Sequence, residues 1–443
     1  MMFADSSPLQ KSVVQSDFEM ALDVTRLVGL RWSGNLATGI DRVCLAYLER
    51  YRRSARAVVQ HRGIRRIFTK PHSEALFDLL VEPQVRFRRR LARLSPSALM
   101  ASREKPACGG AFYVNVGHTD LDRPDLAAWL RACDLRPIYM IHDLIPLTHA
   151  EFCTQRATSR HRARVDNALM HACGIITNSE STAQDIRQYA RCSRRRMPPH
   201  AANWLAGADF QAGDRHAPLR GRYFVVVSTI EGRKNHFMLL QIWRRLVETM
   251  GHTAPHLVII GQKGAQASHV QDMLDQCEII RHHVSVLSHC TDAELGNWIS
   301  YARALLFPSF AEGFGLPLVE ALQLGTPVIA SDIPTFREIG MNIPTLIDPL
   351  DAPGWEAAII GFTGDCAERE RQMLGLARYR AWTWGAHFDK FDAWLASLRP
   401  DRQPAAQSDV ADVSVGAAVS AGVSFARVRE NPASRPRMEG QKG

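Results

Sequence analysis

Short apolar runs alternate with longer stretches of helical periodicity over most of the 443-residue chain. The alternation is clearest in the second half, where the continuous apolar run 223–227 predicts a buried parallel strand. After it, Leu239, Trp243, Leu246 and Met250 recur at helical spacing and predict an amphipathic helix. Further strands are predicted at 257–260, 284–287, 304–307 and 328–330. Strands that alternate with helices in this way predict a parallel α/β sheet.

The first half of the chain shows a similar but weaker pattern. Its candidate strands are 21–27, 112–115, 138–141 and 174–177. The stretch 207–222 is polar and has no clear periodicity, so we place a domain boundary there. The predicted domains are 21–212 and 213–380. Two doubly wound α/β domains in series would form a cleft, where the carboxyl ends of both sheets can face one ligand.

The two ends of the chain differ in composition from the rest. Residues 399–443 are rich in Ala, Ser, Val, Pro and Gly, which predicts a disordered tail, and residues 1–20 are expected to be flexible. The first 20 residues contain no apolar segment typical of a signal peptide, and no apolar run reaches the roughly 18 residues that span a bilayer. Nine scattered cysteines without a Cys-x-x-Cys pair indicate reduced thiols, as in a cytoplasmic protein.

Charge is unevenly distributed along the chain. The net charge is +9, yet residues 50–105 alone carry 15 Lys/Arg against 4 Asp/Glu. Such a basic block indicates an anionic partner, which could be a phospholipid surface, a lipid-linked phosphate or nucleic acid. The alternative is a solvated arginine-rich face. Aromatic residues are sparse in the block, which disfavours a platform for stacking bases and so disfavours nucleic acid.

The strongest candidate motif occupies residues 308–320, where a predicted strand ends and a helix begins. The backbone N–H groups that can point at an anion near the positive end of this helix are those of Phe314, Gly315 and Leu316. Two carboxylates, Glu312 and Glu320, bracket that position. Since carboxylates accept hydrogen bonds from vicinal hydroxyls, a sugar phosphate satisfies both features. The alternative is that the carboxylates only stabilise the start of a helix.

A second motif, 228–235, also follows a strand and precedes a helix. Its adjacent cations, Arg233 and Lys234, could neutralise a diphosphate leaving group as a bond to it breaks. The alternative for two basic residues at the start of a helix is a solvated surface.

Two further motifs lie in the first domain. His142 and Asp143 end a predicted strand, and a His-Asp pair could orient a hydroxyl or position a general base. The alternative is a structural pair, and His118 and His149 are weaker candidates. Gly39 belongs to a glycine-containing loop after the first predicted strand, which could equally be a plain tight turn.

The Glu-x7-Glu pair, Glu312 and Glu320, and its glycine-rich surroundings resemble the retaining glycosyltransferases of family 4, which have the GT-B fold. The resemblance covers roughly residues 21–398 and is most specific over 223–348. It implies two Rossmann-like domains facing a cleft. It also implies that Glu320 binds the ribose hydroxyls of a sugar nucleotide, that Glu312 lies beside the transferred sugar, and that Lys234 binds the diphosphate.

The same resemblance implies further roles. His142 would contact the donor sugar, the loop of Gly39 would close over the donor phosphate, and Ser288 would lie beside the nucleotide base. Thr229 stands where many relatives carry an arginine, so Arg233 would supply that charge. The segment 381–398 resembles a terminal helix that packs back on the first domain.

The resemblance therefore implies retaining transfer of a sugar from a nucleoside diphosphate donor, without a bound metal or other cofactor. The segments 228–236 and 141–146 look most like bacterial mannosyltransferases of extracellular polysaccharide and O-antigen assembly, which favours GDP-mannose as the donor. Together with the basic block, this predicts a lipid-linked saccharide acceptor and a peripheral location on the cytoplasmic face of the plasma membrane. The alternatives are a glycosyltransferase that uses a UDP-sugar, a sugar-nucleotide epimerase or hydrolysing enzyme, and a non-catalytic sugar-nucleotide-binding protein.

Overall fold

The computed structural model describes residues 19–34, 37–82, 86–102, 106, 108–210 and 216–399. These residues belong to one compact unit that contains two sheets. The predicted disordered tail lies outside the described residues except for Arg399, and the predicted flexible start lies outside them except for Glu19 and Met20. The prediction is wrong for Met20, which is buried and begins the first strand. No helix in the described part of the chain is long and apolar enough to cross a membrane.

The first sheet is formed by residues 20–202. Its strands are β1 Met20–Asp23, β2 Ala55–His61, β3 Ile64–Ile67, β4 Phe112–Asn115, β5 Arg136–Ile141, β6 Gly174–Thr177 and β7 His200–Ala202. Its helices are α1 Thr25–Ser33, α2 Gly39–Tyr51, α3 Lys70–Val81, α4 Phe87–Ala101, α5 Asp125–Ala132, α6 Ile145–Thr148, α7 Gln155–His171 and α8 Glu180–Cys192, with a 3-10 turn at Ala150–Phe152. The strand order is β3-β2-β1-β4-β5-β6-β7, and only the β2–β3 pair is antiparallel among these described strands.

The second sheet is wholly parallel over its described strands. They are β8 Tyr223–Val227, β9 His256–Ile260, β10 Val284–Leu287, β11 Leu305–Phe307, β12 Val328–Ser331 and β13 Thr345–Ile347, in the order β10-β9-β8-β11-β12-β13. The helices are α9 His236–Met250, α10 Ser268–Gln276, α11 Asp292–Ser300, α12 Leu316–Gln323, α13 Pro334–Ile339, α14 Ala352–Thr363, α15 Ala367–Leu376 and α16 Trp384–Ser397. The 3-10 turns are Gly232–Lys234, Gly251–Thr253 and Glu278–Ile280.

The second domain follows its hydrophobic pattern closely. Alternate residues of β8 pack into two different apolar clusters, with Tyr223 and Val225 on one face of the sheet and Phe224 and Val226 on the other. A strand that is buried on both faces needs apolar side chains at every position, which is why the continuous run predicted it. The predicted doubly wound α/β class is confirmed.

The first domain departs from prediction near its start. The predicted strand 21–27 ends at Asp23, because the Asp23 carboxylate accepts the Thr25 amide at 3.0 Å and α1 begins there. The loop that contains Gly39 therefore follows a helix, not a strand. Gly39 itself is the first residue of α2, which Thr38 and Asp41 start with a reciprocal capping box.

The last helix, α16, returns to the first domain. Tyr47 on α2 hydrogen bonds to the His387 ring at 2.9 Å, and Arg50 pairs with Asp392 at 2.8 Å. The helix begins at Trp384 with Thr383 as its N-cap, slightly later than the predicted segment 381–398. The chain thus crosses between the domains twice, once after β7 and once before α16.

Both sheets reverse their strand order at one point, between β1 and β4 in the first domain and between β8 and β11 in the second. Ligands of open parallel sheets bind outside the carboxyl ends of the strands at such a point. The motifs that follow β8 and β11 lie there.

Candidate active site

The loops after β8 and β11 lie side by side. The Phe310 amide donates to the Arg233 carbonyl at 2.9 Å, which joins the two loops through their backbones. Arg233 also donates to the Ala311 carbonyl at 2.7 Å. Two motifs that are about 80 residues apart in sequence therefore form one site, as their positions at neighbouring strand ends require.

The Glu312 carboxylate lies at the centre of this site. Its Oε1 pairs with the Lys234 ammonium, and its Oε2 lies 3.1 Å from Nη1 of Arg233. Arg233 also pairs with Glu231 at 2.8 Å. Burial disfavours ionisation of Glu312, but the two adjacent cations outweigh it and lower the pKa of Glu312 to about 2. The carboxylate is therefore ionised at neutral pH.

Lys234 is buried and stands over the ring of Phe307, with 5.2 Å between its Nζ and the ring centroid. Burial lowers the pKa of Lys234; the Glu312 carboxylate opposes this shift, and the neighbouring Arg233 adds to it. A second anion beside Lys234 and Arg233 would be favoured, since fixed cations in a poorly solvated cleft attract negative charge strongly.

Two glycines let the β11 loop approach other groups closely. A Cβ on Gly313 would lie 2.1 Å from the carbonyl oxygen of His142, so only glycine allows this contact between the domains. Gly315 has a positive φ of 106° and precedes α12 as its N-cap. The Thr335 hydroxyl donates to the Glu312 carbonyl at 2.8 Å and fixes the loop from α13. The Phe314 side chain is buried in the core, so its backbone is the part that can face a ligand.

His142 lies against Gly313 and is buried. Its Nε2 donates to the Val116 carbonyl at 2.8 Å, and burial lowers its pKa, so the ring is neutral with Nδ1 as a free acceptor position on the tautomer this bond selects. Asp143 accepts the Ile145 amide at 3.0 Å, and no hydrogen bond joins it to His142 among the described contacts. Of the weaker candidates, His118 lies beside His142 with ring centroids 5.1 Å apart, and His149 bonds only locally to Thr148.

Glu320 is buried on α12 and carries a raised pKa because of that burial. It accepts the Ala208 amide at 3.2 Å and lies 3.3 Å from Nη1 of Arg42. Arg42 comes from α2 of the first domain and also pairs with Asp292 at 2.5 Å, so it reaches across the cleft. No sequence pattern gave Arg42 a role, although it lies only three residues after Gly39 on α2.

A cavity of about 270 Å³ lies between the domains, and several of the predicted site residues line it. Its lining includes Gly39, Thr229, Ser288, Leu316 and Glu320. The structure thus brings together residues from α2 and from the carboxyl ends of β8, β10 and β11. The cluster of Arg233, Lys234 and Glu312 forms a separate group in the same two loops. Thr229 and Arg233 occupy different positions, since Thr229 lines the cavity and Arg233 pairs with carboxylates.

Further contacts across the cleft involve Ser179, which follows β6, and Glu338, which no sequence motif indicated. The Ser179 hydroxyl donates to the Gly313 carbonyl at 2.8 Å. The Glu338 carboxylate on α13 accepts the amides of Glu180 and Ser181 at 2.8 and 2.9 Å, and so caps α8 from the other domain. These contacts depend on how the domains meet, and no local sequence pattern reports that.

No group of three His, Cys, Asp or Glu side chains placed to hold a metal ion occurs within the described ranges.

Comparison with known sequences assigns the second domain. The family model described as "Glycosyl transferases group 1" matches residues 210–371. The chain is 29% identical over 239 residues to the serotype-specific mannosyltransferase WbdA of Escherichia coli. This match covers 48% of the chain and 28% of WbdA. It is 38% identical over 104 residues to the O-antigen chain mannosyltransferase RfbU of Salmonella typhimurium. This second match covers 24% of the chain and 29% of RfbU. The chain thus spans less than a third of these two relatives. Residues 210–371 thus match a glycosyltransferase group 1 domain, in agreement with the resemblance seen in the sequence.

Solved structures agree on the fold. HepE of Anabaena, determined in complex with UDP, matches with a TM-score of 0.58 at 15% identity over 85% of this chain and 99% of that one. Sucrose-phosphate synthase of Thermosynechococcus elongatus matches with a TM-score of 0.56 at 16% identity over 86% and 98% of the two chains. The predicted GT-B fold is confirmed.

Proposed function

We propose that this chain is a retaining glycosyltransferase that transfers a sugar from a nucleoside diphosphate donor to a saccharide acceptor. The observation that carries the proposal is the convergence of Lys234 and Arg233 on the buried Glu312, beside a cavity that contains Glu320. The two cations in the loop after β8 suit a diphosphate, and the Glu320 carboxylate on α12 suits the hydroxyls of a ribose. The group 1 domain covers this part of the chain.

Mannose from GDP-mannose is the proposed donor substrate. This choice is supported by the relatives WbdA and RfbU, which are named as a serotype-specific mannosyltransferase and an O-antigen chain mannosyltransferase. They match the chain over partial lengths only.

The proposed reaction uses the charges of the site. The acceptor oxygen forms a bond to the anomeric carbon on the face that the diphosphate leaves, and the acceptor proton passes to the departing diphosphate. Lys234 and Arg233 stabilise the negative charge that develops on this leaving group. Glu312 holds both cations in place, and neutral His142 contacts the sugar. We propose that these side chains and the loop amides supply the electrostatic stabilisation without a bound metal.

The proposed acceptor is a lipid-linked saccharide, and the proposed location is peripheral on the cytoplasmic face of the plasma membrane. Support comes from the basic block at residues 50–105 and from relatives that are named for O-antigen synthesis. The block includes the whole of α4.

Ligand-induced stabilisation of the full chain tests the donor class. Thermal unfolding is followed with GDP, GDP-mannose, UDP, UDP-glucose and UDP-N-acetylglucosamine. A ligand at 100 times its dissociation constant adds about 2.7 kcal/mol to the free energy of unfolding, which shifts the melting temperature measurably. Stabilisation by GDP and GDP-mannose alone is the expected result. A response to UDP ligands alone would reassign the donor, and no response to any nucleotide would contradict the proposal.

Matched variants assign the response to the cleft. Glu320→Gln removes the negative charge and replaces one of the two acceptor oxygens with an amide donor, so it should reduce the GDP-mannose shift. Glu370→Gln changes an exposed carboxylate on α15 and should leave the shift unchanged.

A further inference from the structure

The exposed side of α4 combines arginines with large apolar side chains. Arg89 and Arg93 point away from the protein in the first half of the helix, and Leu99 and Met100 are 51% and 88% exposed in its last turn. We call these four residues the α4 outer face. Arg88 and Arg90 lie on its flanks.

The opposite side of α4 fixes this orientation. Phe87 and Ala98 are buried in the core, and Leu91 and Leu94 pack against it. These positions follow an i, i+4, i+7, i+11 spacing, which defines one stripe of a helix. The α4 outer face is therefore held toward solvent by the packing of the other side.

A pocket of about 350 Å³ adjoins the start of α4. Its lining is Arg31, Trp32, Gly34 and residues 86–89. Arg88 lies over the Trp32 ring with 5.4 Å to its centroid and donates to the Trp32 carbonyl at 2.9 and 2.8 Å. Within the described ranges, Arg86 and Arg89 have no carboxylate partner.

The electrostatics of this pocket favour an anion. The first turn of α4 contains no acidic residue, and its N-cap is Arg86. Cations at the positive end of a helix dipole raise the electrostatic free energy of the empty pocket. A phosphate in the pocket would relieve this repulsion and accept hydrogen bonds from guanidinium groups.

The apolar residues decide which kind of anion fits. Trp32 is half exposed at 50%, and it lies beside the same arginines. A soluble phosphate or a nucleic acid backbone would leave Leu99 and Met100 in water. At a lipid interface, arginines contact headgroups while Trp, Leu and Met side chains enter the boundary with the acyl chains.

We propose that the α4 outer face, together with the arginine pocket and Trp32, docks this chain on an anionic phospholipid bilayer, with a lipid phosphate in the pocket. This surface would provide the membrane contact that the proposed peripheral location requires. It does not depend on sugar transfer, because α4 and the cleft are separate groups of residues.

Sedimentation of the full chain with vesicles tests the surface. One vesicle set contains phosphatidylcholine only, and the other also contains 30% phosphatidylglycerol. The chain should bind the anionic set and be released at high salt. Each arginine near an anionic surface contributes about fivefold to partitioning, so Arg89→Gln with Arg93→Gln should weaken binding about 25-fold. Leu99→Ser with Met100→Ser should weaken binding to the anionic vesicles at low salt, because these exposed apolar side chains would no longer enter the interface.

The control removes two arginines from the opposite edge of the same sheet. Arg191 and Arg196 are exposed at the end of α8 and after it, and α8 packs against β6 and β7, whereas α4 packs on α3 beside β2. Arg191→Gln with Arg196→Gln should bind vesicles like the parent chain. Thermal unfolding with GDP-mannose separates the two proposals, because the α4 variant should retain the parent melting temperature and nucleotide response.

Three results would overturn the docking proposal. The first is equal binding of the chain to neutral and anionic vesicles. The second is an equal loss of vesicle binding in the α4 arginine variant and the control variant. The third is stronger binding of the chain to single-stranded RNA than to anionic vesicles, with the RNA binding lost in the α4 arginine variant. Loss of the nucleotide response with intact vesicle binding would contradict the proposed function and leave the docking surface standing.

Discussion

At the scale of single residues, the electrostatics of the site are set by the ion pairs of two glutamates. Glu312 is one carboxylate between two cations, and Glu320 is a buried carboxylate that Arg42 reaches from the other domain. The environments shift the two pKa values in opposite directions, because Glu312 gains two cations and Glu320 is dominated by burial. The sequence showed both glutamates and Lys234, since they stand in compact motifs after strands. It could not show Arg42, whose partners Asp292 and Glu320 are 250 and 278 residues away.

Replacement of Glu312 by Gln should make stability depend on pH in a defined way. In the parent chain the pKa of Glu312 falls from 4.5 to about 2 on folding, so its stabilisation is present above about pH 4.5 and is lost as pH falls toward 2. We expect Glu312→Gln to reduce the free energy of unfolding by about 3 kcal/mol at pH 7 and by progressively less below pH 4.5. Urea unfolding between pH 7 and pH 3 measures this. A difference that stays constant across that range would show that the ion pairs do not set the pKa.

Lys234 and Glu320 should affect different kinetic parameters. Lys234→Met removes the cation proposed to stabilise charge on the leaving group, so kcat should fall about 100- to 1,000-fold. Glu320→Gln should mainly raise the KM for the donor, since its interaction with ribose is present in both ground and transition states. Steady-state kinetics on purified variants distinguish the two, with Glu370→Gln as the control. If both variants change the same parameter equally, the assignment of roles is wrong.

At the scale of secondary structure elements, the two domains were predictable to different degrees. Four strands of the second sheet, β8, β9, β11 and β12, are mostly buried and appear as apolar runs. Strands β2 and β3 escaped prediction because they carry polar side chains into the interior. Arg65 on β3 is 3% exposed and is satisfied by Gln60 at 2.7 Å and by Asp125 at 3.1 Å. From the sequence alone, such a buried arginine cannot be distinguished from an exposed one, because its partners are not known.

Gly313 should be intolerant of a side chain for a reason that involves both domains. A Cβ there would meet the His142 carbonyl at 2.1 Å, so Gly313→Ala must separate the β11 loop from β5. We expect at least a 100-fold loss of kcat, because misplacement by about 1 Å costs that much. The control is Gly361→Ala inside α14, where the nearest atom is 3.8 Å away. That substitution should stabilise the chain by about 1 kcal/mol and leave kcat unchanged. Unchanged kcat in Gly313→Ala would contradict the closed geometry.

At the scale of the whole molecule, the site exists because two domains meet. Ser179 on the first domain holds the Gly313 carbonyl, Glu338 on the second domain caps α8, and α16 packs on α2. The GT-B fold and the identity of the cleft could be predicted from motifs at strand ends. The contacts that close the cleft could not, because each joins residues from different domains and has no local periodicity.

The central claim is that this closed cleft transfers mannose from GDP-mannose. The most direct measurement incubates the full chain with GDP-mannose and a polyprenyl diphosphate-linked saccharide that ends in mannose, and follows the lipid-linked product by mass spectrometry and its anomeric configuration by NMR. We predict addition of α-linked mannose, release of GDP in equal amount, and loss of product in Lys234→Met. Consumption of GDP-mannose without acceptor, or product with inverted configuration, would contradict the account.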